Sequence, residues 1–334
     1  MHLSRVTRPQ RLAGPVVAVV TLGLLAAACG GGSTKTASTT ATTAAGPVNL
    51  RIAYVPATTV LPLHVAQAQG MFAKNGLNVT LTEAANISDI PATLGRQFDL
   101  ALGTATDLIR AGAAGVDVVQ VAGNTISTKQ NPFVKLMVKP DSGITDVSQL
   151  KGKTVGSPTL SGVIHVAVKY WAKQKGVNPA DIGGVEAPTP NLPDQLNAGR
   201  IDAVEALEPI ASQLTKAGDV SLGSPFDAIS DTLATNFWLA QGSWATKNRD
   251  AVAKFVQSLN EAKGFIDANP VDARRTLQQY TNLPDAVAST VPLPTYNFDI
   301  RTGDLDTWVK VMKDTGDFTG QVDTRKLVLA PAGK

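Results

Sequence analysis

Apolar residues recur along this chain with two alternating spacings, which predict strands and helices in succession. Runs of four to seven mostly apolar residues, such as 50–55, are typical of buried strands. Other segments repeat apolar residues three or four positions apart, as at Ile164, Ala167, Val168 and Trp171, which is typical of one face of a helix. Strands alternating with helices favour parallel sheets that are covered on both faces.

The predicted elements form two series. Strands are predicted at 50–55, 78–81, 99–102, 116–121, 133–139, 153–155, 183–187, 201–205 and 231–239. Helices are predicted at 63–72, 90–96, 107–114, 161–175, 194–198 and 209–216, and most of the chain after 240 is predicted helical.

The order of these elements indicates two lobes. The chain builds one series of strands and helices, leaves it near residue 138, builds a second series and then returns. We therefore predict an α/β fold with two lobes of parallel-rich sheets, joined by two chain crossings that form a hinge. Residues 48–138 plus 236–334 are assigned to lobe 1, and 139–235 to lobe 2. The gap between the lobes is the expected ligand cleft.

The start of the chain has the composition of an export signal. Arg5, Arg8 and Arg11 precede an apolar run over 12–28 that contains small residues near its end. A basic start followed by a short apolar segment is typical of a cleaved signal peptide. Residues 1–28 are therefore predicted to be removed on export.

The next segment predicts a lipid anchor. Residues 24–29 resemble the lipobox of bacterial lipoproteins, in which the cysteine carries the lipid. Cys29 is the only cysteine of the sequence, so the chain cannot form an intramolecular disulfide. Residues 29–47 are rich in Gly, Ser, Thr and Ala and are predicted to be a flexible tether. Secretion without a lipid is the alternative.

Charge argues against a nucleic-acid-binding protein. The sequence has 30 basic and 27 acidic residues, and the predicted signal peptide contains three arginines and no acid. The remaining chain is therefore formally neutral, without the basic excess expected of such a protein.

The segment from Asp146 to Gly176 suggests where a ligand could bind. A short strand at 153–155 is followed by small residues from Gly156 to Gly162 and then by a predicted helix. Such a loop presents backbone N–H groups and the positive end of the helix dipole. An ordinary β–α turn has the same pattern, so this loop alone does not decide the function.

In open parallel sheets, ligands bind beyond the carboxyl ends of the strands. The loops predicted there are rich in hydroxyls and amides and contain no Lys or Arg. We expect backbone N–H groups, hydroxyls and helix ends to bind any anionic group, although each Ser or Thr is also a candidate helix cap. The candidate ligand-binding residues are Thr58, Thr59, Gly103, Thr104, Thr106, Asn124, Thr159, Ser161, Gly162, Glu205, Glu208, Asn236 and Trp238.

Two of these candidates are acids. Glu205 is predicted at the end of the strand 201–205, and Glu208 directly precedes Pro209 at the predicted start of a helix. Both are expected to accept hydrogen bonds from an amine of the ligand. Alternatively, Glu208 interacts only with the helix dipole.

The sequence contains few residues suited to catalysis. His64 and His165 are the histidines of the predicted mature chain, and neither has a partner at metal-ligand spacing. The sequence contains no G-x-S-x-G, Walker A or G-x-G-x-x-G motif. We therefore predict a protein that is not an enzyme and that uses no cofactor and no metal, with both histidines in structural roles.

Several short segments, in their order and spacing, resemble the solute-binding proteins of ABC importers. The resemblance is to the branch that handles sulfonates, taurine, nitrate and thiamine-precursor pyrimidines, the SsuA and NMT1/THI5-like proteins. The segments that carry it are YVP at 54–56, LPLHVA at 61–66, GMF at 70–72, GLNV at 76–79, LKGKTVG at 150–156, GRIDA at 199–203, EP at 208–209 and ANP at 268–270.

This resemblance implies a type II periplasmic-binding-protein fold and a small-molecule ligand. It also implies a membrane permease and its ATPase as partners. With the lipobox, it places a monomeric, lipid-anchored protein on the extracytoplasmic face of the cell membrane. A sulfonate or aminosulfonate is the leading ligand, and a thiamine-precursor aminopyrimidine is the alternative. A ligand-sensing lipoprotein that signals to a protein partner is the rival function. A related fungal enzyme family makes the thiamine pyrimidine on this fold, but its cysteine-rich motif is absent here.

Overall fold

The computed structural model describes residues 46–84 and 87–330. The strands are β1 (Val48–Tyr54), β2 (Leu77–Glu83), β3 (Leu100–Thr104), β4 (Val119–Thr128), β5 (Val134–Val138), β6 (Thr154–Ser157), β7 (Gly183–Glu186), β8 (Ala203–Leu207), β9 (Val220–Gly223), β10 (Thr232–Ala240) and β11 (Thr295–Tyr296). The helices are α1 (Leu61–Ala68), α2 (Met71–Lys74), α3 (Ala105–Ala113), α4 (Val163–Gln174), α5 (Leu192–Asn197), α6 (Ile210–Ala217), α7 (Gly242–Lys247), α8 (Arg249–Ala268), α9 (Pro270–Thr281), α10 (Asp285–Ala288) and α11 (Thr302–Thr315).

The strands form two sheets. The first has six strands in the order β11-β4-β10-β3-β1-β2, and the second has five in the order β7-β6-β8-β5-β9. In the first sheet β1 is parallel to β2 and β3, whereas β10 runs antiparallel to β3 and β4. In the second sheet β6 is parallel to β7 and β8, and β5 runs antiparallel to β8 and β9. The predicted α/β class with parallel-rich sheets is therefore confirmed.

The chain crosses between the sheets twice, after β4 and again before β10. The first change of sheet lies one short strand before the predicted boundary at 138, and the predicted boundary at 236 falls within β10, while the assignment of the lobes stays a prediction. Strand β5 was assigned to lobe 1 but pairs with β8 and β9, and the first half of β10 was assigned to lobe 2 but pairs with β4. Apolar spacing predicts a strand without indicating its partner, because pairing depends on residues far away in the sequence.

Two hydrophobic clusters cover the faces of the first sheet. On one face, Leu50, Leu63 and Trp238 pack with Phe255 of α8. On the other face, a second cluster includes residues from both sheets and from α11, whose Trp308 indole N–H donates to the backbone carbonyl of Ala234 at 2.8 Å. The two sheets are thus joined by packed apolar side chains as well as by the two crossings.

Helix α11 packs against both α3 and α4. Lys169 of α4 donates to both carboxylate oxygens of Asp317, just after α11, at 2.7 and 2.9 Å. The C-terminal helix therefore supports elements that belong to both series of strands.

Several predicted elements differ from those observed. The single helix predicted at 63–72 is two helices, α1 and α2, separated by Gly70 in a left-handed conformation. The segment predicted as a helix at 90–96 is a 3₁₀ turn at Ile87–Thr93 that contains Pro91, whose ring nitrogen cannot donate a helical hydrogen bond. The strand predicted at 116–121 is β4, which begins at Val119. The strand predicted at 201–205 is β8, which begins at Ala203, so Glu205 lies in the middle of the strand and not at its end.

No helix in the described part of the chain combines the length and the apolar character that crossing a membrane requires.

Candidate functional site

A cavity of about 980 Å³ lies between the two sheets. Residues from the ends of β1, β3, β6, β7 and β8 line it, together with residues from the middle of β10. Its polar side chains are Thr58, Thr59, Glu83, Thr104, Ser157, Thr159, Glu186, Thr189, Glu208, Gln213, Thr235, Asn236 and Thr281. Its larger apolar side chains include Ile87, Leu102, Phe133, Ile164, Leu207, Ile210, Phe226 and Leu283.

The first wall of the cavity is the turn at 57–59, which follows β1. Its three backbone carbonyls each accept a hydrogen bond from a distant side chain. The hydroxyl of Tyr280 donates to the first carbonyl at 2.8 Å, the hydroxyl of Tyr296 donates to the second at 2.7 Å, and the side-chain amide of Asn124 donates to the third at 3.1 Å. The turn is therefore held from behind by three neutral donors.

His64 packs behind the first wall. Its ring stacks on Tyr280 with centroids 3.8 Å apart and meets the ring of Tyr54 edge-on at 4.8 Å. Its Nε2 is buried without a hydrogen-bond partner among the described residues, and burial lowers the pKa of His64 to about 4. Burial also raises the pKa of Tyr280 and of Tyr296, so both hydroxyls remain protonated donors.

The second wall is the turn at 157–162, between β6 and α4. The backbone N–H of Thr159 donates to Ser157 Oγ at 3.2 Å, and that hydroxyl donates to Glu205 Oε2 at 2.5 Å. The other oxygen of Glu205, Oε1, lies 2.7 Å from Nδ1 of His165. A buried carboxylate therefore holds this second wall, whereas neutral donors hold the first wall.

The charged residues of the cavity lining, as far as the structure describes it, are all acids. Glu83 and Glu186 are exposed, and Glu186 Oε2 accepts from the backbone N–H of Leu160 at 2.8 Å. Glu208 is only 2% exposed, and its Oε2 accepts from the backbone N–H of Ser212 at 3.1 Å. Its Oε1 has no partner among the described residues.

A buried carboxylate oxygen without a donor is costly, because water no longer solvates it. Within the cavity, a ligand that donates a hydrogen bond to Glu208 would offset this cost. A positively charged donor would offset it most, because hydrogen bonds between charged groups are the strongest. The lining therefore favours an amine or a similar donor beside Glu208.

Thr235 is a cavity residue that sequence reasoning missed. It lies on β10, is 1% exposed, and its hydroxyl has no partner among the described residues. The pairing of β10 with β4 is irregular on both sides of Asn236, and both Thr235 and Asn236 line the cavity. An irregular ladder breaks the alternation of side chains between the two faces, so strict alternation could not have identified both residues.

Seven of the predicted ligand-binding residues line the cavity, although their contact with a ligand stays a prediction. These residues are Thr58, Thr59, Thr104, Thr159, Gly162, Glu208 and Asn236. Thr104, at the end of β3, is also a helix cap, the alternative role expected for each Ser or Thr. Its Oγ1 accepts a hydrogen bond from the backbone N–H of Asp107 at the start of α3.

The other six lie outside the cavity lining. Two of them, Asn124 and Glu205, hold the walls from behind, as described above. Trp238 meets Phe255 edge-on at 5.1 Å in the first hydrophobic cluster. Thr106 is fully buried, with its hydroxyl 3.1 Å from that of Thr104.

The remaining two, Gly103 and Ser161, lie outside the lining for different reasons. A side chain at Gly103 would collide with Leu239, so this glycine serves packing within the first sheet. Ser161 is exposed, and its carbonyl accepts from the Arg110 guanidinium at 2.5 Å. In the described residues, no group of three or more His, Cys, Asp and Glu side chains is arranged to hold a metal ion.

Comparison with known proteins identifies the family. The model of the family described as NMT1/THI5-like matches residues 57–273, which is well over half of the chain. The chain belongs to the NMT1/THI5-like family. The resemblance found in the sequence is therefore confirmed.

Of two relatives, one is named as a synthase and the other as a binding protein. The 4-amino-5-hydroxymethyl-2-methylpyrimidine phosphate synthase THI13 of Saccharomyces cerevisiae is 28% identical over 228 residues, covering 64% of this chain and 65% of that protein. The chain thus matches just under two thirds of that relative's length. YtlA of Bacillus subtilis, named as a candidate binding protein, is 26% identical over 211 residues, covering 62% of each chain.

The fold matches that of a solved binding protein. The periplasmic aliphatic sulphonate binding protein SsuA from Escherichia coli superposes with a TM-score of 0.72, covering 85% of this chain and 98% of that chain at 19% identity. At this identity the likeness establishes the fold. Together with the two sheets and two crossings, it confirms the predicted periplasmic-binding-protein fold.

Proposed function

We propose that this chain is the extracytoplasmic solute-binding component of an ABC importer, which captures a small organic solute between its two lobes. The observation that carries this proposal is the 980 Å³ cavity between two sheets that are linked by two chain crossings. A hinge of this kind lets a ligand favour the closed arrangement by its differential affinity for that state. The names of SsuA and YtlA agree with a binding role.

The synthase names of the fungal relatives raise the possibility of an enzyme, and we propose that this chain is not one. The described cavity lining offers carboxylates, hydroxyls and amides but no His, Cys, Lys or Arg side chain. The single cysteine of the sequence, Cys29, lies outside the described residues. The lining thus suits recognition of a solute better than acid–base or nucleophilic chemistry.

The ligand is proposed to carry an amine. An alkanesulfonate without an amine would bring its negative charge to a cavity whose charged residues are Glu83, Glu186 and Glu208. An aminosulfonate or a thiamine-precursor aminopyrimidine could donate to the unpartnered oxygen of Glu208. The names of the fungal relatives and the apolar part of the lining favour the aminopyrimidine as the second candidate.

Calorimetric titration of the exported chain with taurine, ethanesulfonate and 4-amino-5-hydroxymethyl-2-methylpyrimidine tests this proposal. We expect taurine or the pyrimidine to bind more tightly than ethanesulfonate. Glu208→Gln should weaken that binding by about 1.5–3 kcal/mol, the range for hydrogen bonds to charged groups. Glu186→Gln is the matched control, because Glu186 lines the same cavity but is exposed. If ethanesulfonate binds most tightly, and if Glu208→Gln strengthens its binding further, the ligand is instead an anion without an amine.

The membrane anchor and the protein partners are part of the same proposal. We propose that Cys29 carries a lipid that holds the monomeric protein at the outer face of the cell membrane, beside a permease and its ATPase. Cys29→Ala should move the protein from the membrane fraction to the soluble fraction. If deleting the chain's gene abolishes only a transcriptional response, and uptake of labelled ligand continues, the rival signalling role is correct.

A further inference from the structure

Glu205 and His165 form a buried pair that lies outside the lining of the cavity. Glu205 is 0% exposed and His165 is 5% exposed, and neither lines the cavity. Both carboxylate oxygens of Glu205 are engaged, Oε2 by the Ser157 hydroxyl and Oε1 by Nδ1 of His165. Their short distances, 2.5 and 2.7 Å, are in the range of charge-assisted hydrogen bonds.

These two donors lie at opposite ends of the second wall. Ser157 is the first residue of that turn, and His165 lies three residues beyond its last residue, in the first turn of α4. The segment that faces the cavity is thus attached at both ends to one carboxylate on β8.

The interior of the turn depends on the same attachment. The backbone N–H of Thr159 donates to Ser157 Oγ at 3.2 Å, and the backbone N–H of Gly162 donates to the Thr159 carbonyl at 2.9 Å. Ser157, Thr159 and Gly162 all line the cavity. A chain of hydrogen bonds therefore runs from the buried carboxylate to the surface that a ligand would touch.

The pairing of β6 with β8 does not depend on the hydrogen bond between Glu205 and His165. At the other end of β6 and β8, Asp202 accepts from the backbone N–H of Thr154 at 2.8 Å and from Lys153 Nζ at 3.2 Å. Ladder pairing between β6 and β8 also holds the two strands together. What the Glu205 pair adds is the position of the turn and of the start of α4.

We propose that Ser157, Glu205 and His165 form a positioning network that holds the second wall in its ligand-binding conformation. Glu205 and His165 are positioning residues that set the affinity for a ligand they do not touch. This inference rests on the proposed capture of a solute in the cavity.

The test compares two substitutions of His165 with a control at Asp202. His165→Val removes the donor, whereas His165→Asn can place an amide nitrogen near the position of Nδ1. We expect His165→Val to weaken binding of taurine or of 4-amino-5-hydroxymethyl-2-methylpyrimidine about tenfold, equivalent to 1.4 kcal/mol, with His165→Asn restoring most of it. Asp202→Asn should lower the melting temperature and leave the affinity unchanged, since its bonds lie at the far end of the strands.

A ligand-free measurement separates this inference from the proposed function. Amide hydrogen exchange at 159–162 should accelerate in His165→Val and in Ser157→Ala, and remain as in the parent in Asp202→Asn. Faster exchange in these variants would support the network even if neither probe binds the parent protein. Absence of binding by the parent would count only against the proposed ligands. Parent-like exchange and parent-like affinity in both His165→Val and Ser157→Ala would overturn the network.

Discussion

The two walls of the cavity are both held from behind, but by different chemistry. Tyrosine hydroxyls and an asparagine amide, all neutral, hold the first wall at 57–59. A buried carboxylate, bonded to a serine hydroxyl and an imidazole, holds the second wall at 157–162. Each wall has one histidine behind it, and the two histidines differ in what they contact.

His64 lies between aromatic rings without a charged partner, and burial therefore keeps it neutral by lowering its pKa to about 4. His165 faces the carboxylate of Glu205 at 2.7 Å. The comparison shows that burial has different consequences for the two side chains. The partly buried His64 has no acid beside it and stays neutral, whereas the buried His165 has Glu205 as its partner.

The largest expected effect comes from breaking the second wall's pair. His165→Leu leaves the Glu205 carboxylate buried with Ser157 as its remaining donor among the described residues, so the free energy of unfolding should fall by about 3–5 kcal/mol. Urea unfolding monitored by circular dichroism measures this loss. The double variant His165→Leu/Glu205→Leu should recover part of it, because no buried charge remains unpaired. A double variant that is no more stable than His165→Leu alone would contradict this account.

The second effect is the acid sensitivity of the first wall. His64 binds a proton in the unfolded chain below about pH 6.5 but in the folded chain only below about pH 4. The stability that the protein gains from a neutral His64 is therefore fully present at pH 7. It is lost as the pH falls from about 6.5 to about 4. The loss reaches up to about 3 kcal/mol, since each pKa unit is worth about 1.4 kcal/mol.

The variant His64→Phe retains an aromatic ring against Tyr280 and cannot titrate. Urea unfolding at pH 7.0, 5.5 and 4.5 should show a smaller acid loss for this variant than for the parent. Equal losses in both proteins would mean that other groups dominate the acid response.

A smaller effect is expected at the first wall's neutral donors. Tyr280→Phe removes the hydroxyl that donates to the Ala57 carbonyl, which should lower the free energy of unfolding by about 1–2 kcal/mol. Because the donor is neutral, the loss should be the same at pH 6 and pH 8. A loss that changes across this range would show that Tyr280 is coupled to a titrating group.

The smallest effect is expected far from both walls. Lys263 and Asp267 form an exposed ion pair one turn apart on α8, at 2.9 Å. Lys263→Ala should change the free energy of unfolding by less than about 0.5 kcal/mol, with ligand affinity unchanged. This variant provides the baseline for differential scanning fluorimetry of the wall variants, and a larger change would mean that surface charges matter more than the comparison assumes.

Local patterns predicted much of the site but not its supports. The loops after the predicted strands included Thr58, Thr159 and Glu208, which line the cavity. The hydroxyls that hold the first wall could not be predicted, since Tyr280 lies 223 residues from the carbonyl it bonds. No periodic pattern connects positions so far apart in the sequence.

Two further errors of prediction arise from how strands pair. The irregular pairing of β10 brings Thr235 to the cavity, while Trp238, which was predicted there, lies in the hydrophobic core. Strand β8 extends two residues beyond its predicted end, and Glu205 is therefore central in the strand and engaged by the second wall. Bulges and strand ends depend on neighbouring strands, which the sequence of one strand does not contain.

The sequence by itself determined the alternation of strands and helices, the α/β class and the hydroxyl-rich loops that enter the cavity. These properties follow from spacing and side-chain chemistry within about twenty neighbouring residues. Only the tertiary structure decided which of two nearby acids lines the cavity. Glu205 meets partners 40 and 48 residues away and is fully engaged, whereas Glu208 keeps one buried oxygen without a partner in the described chain. The physical reason is that burial and pairing arise from contacts between distant segments, and those contacts exist only once both sheets have formed.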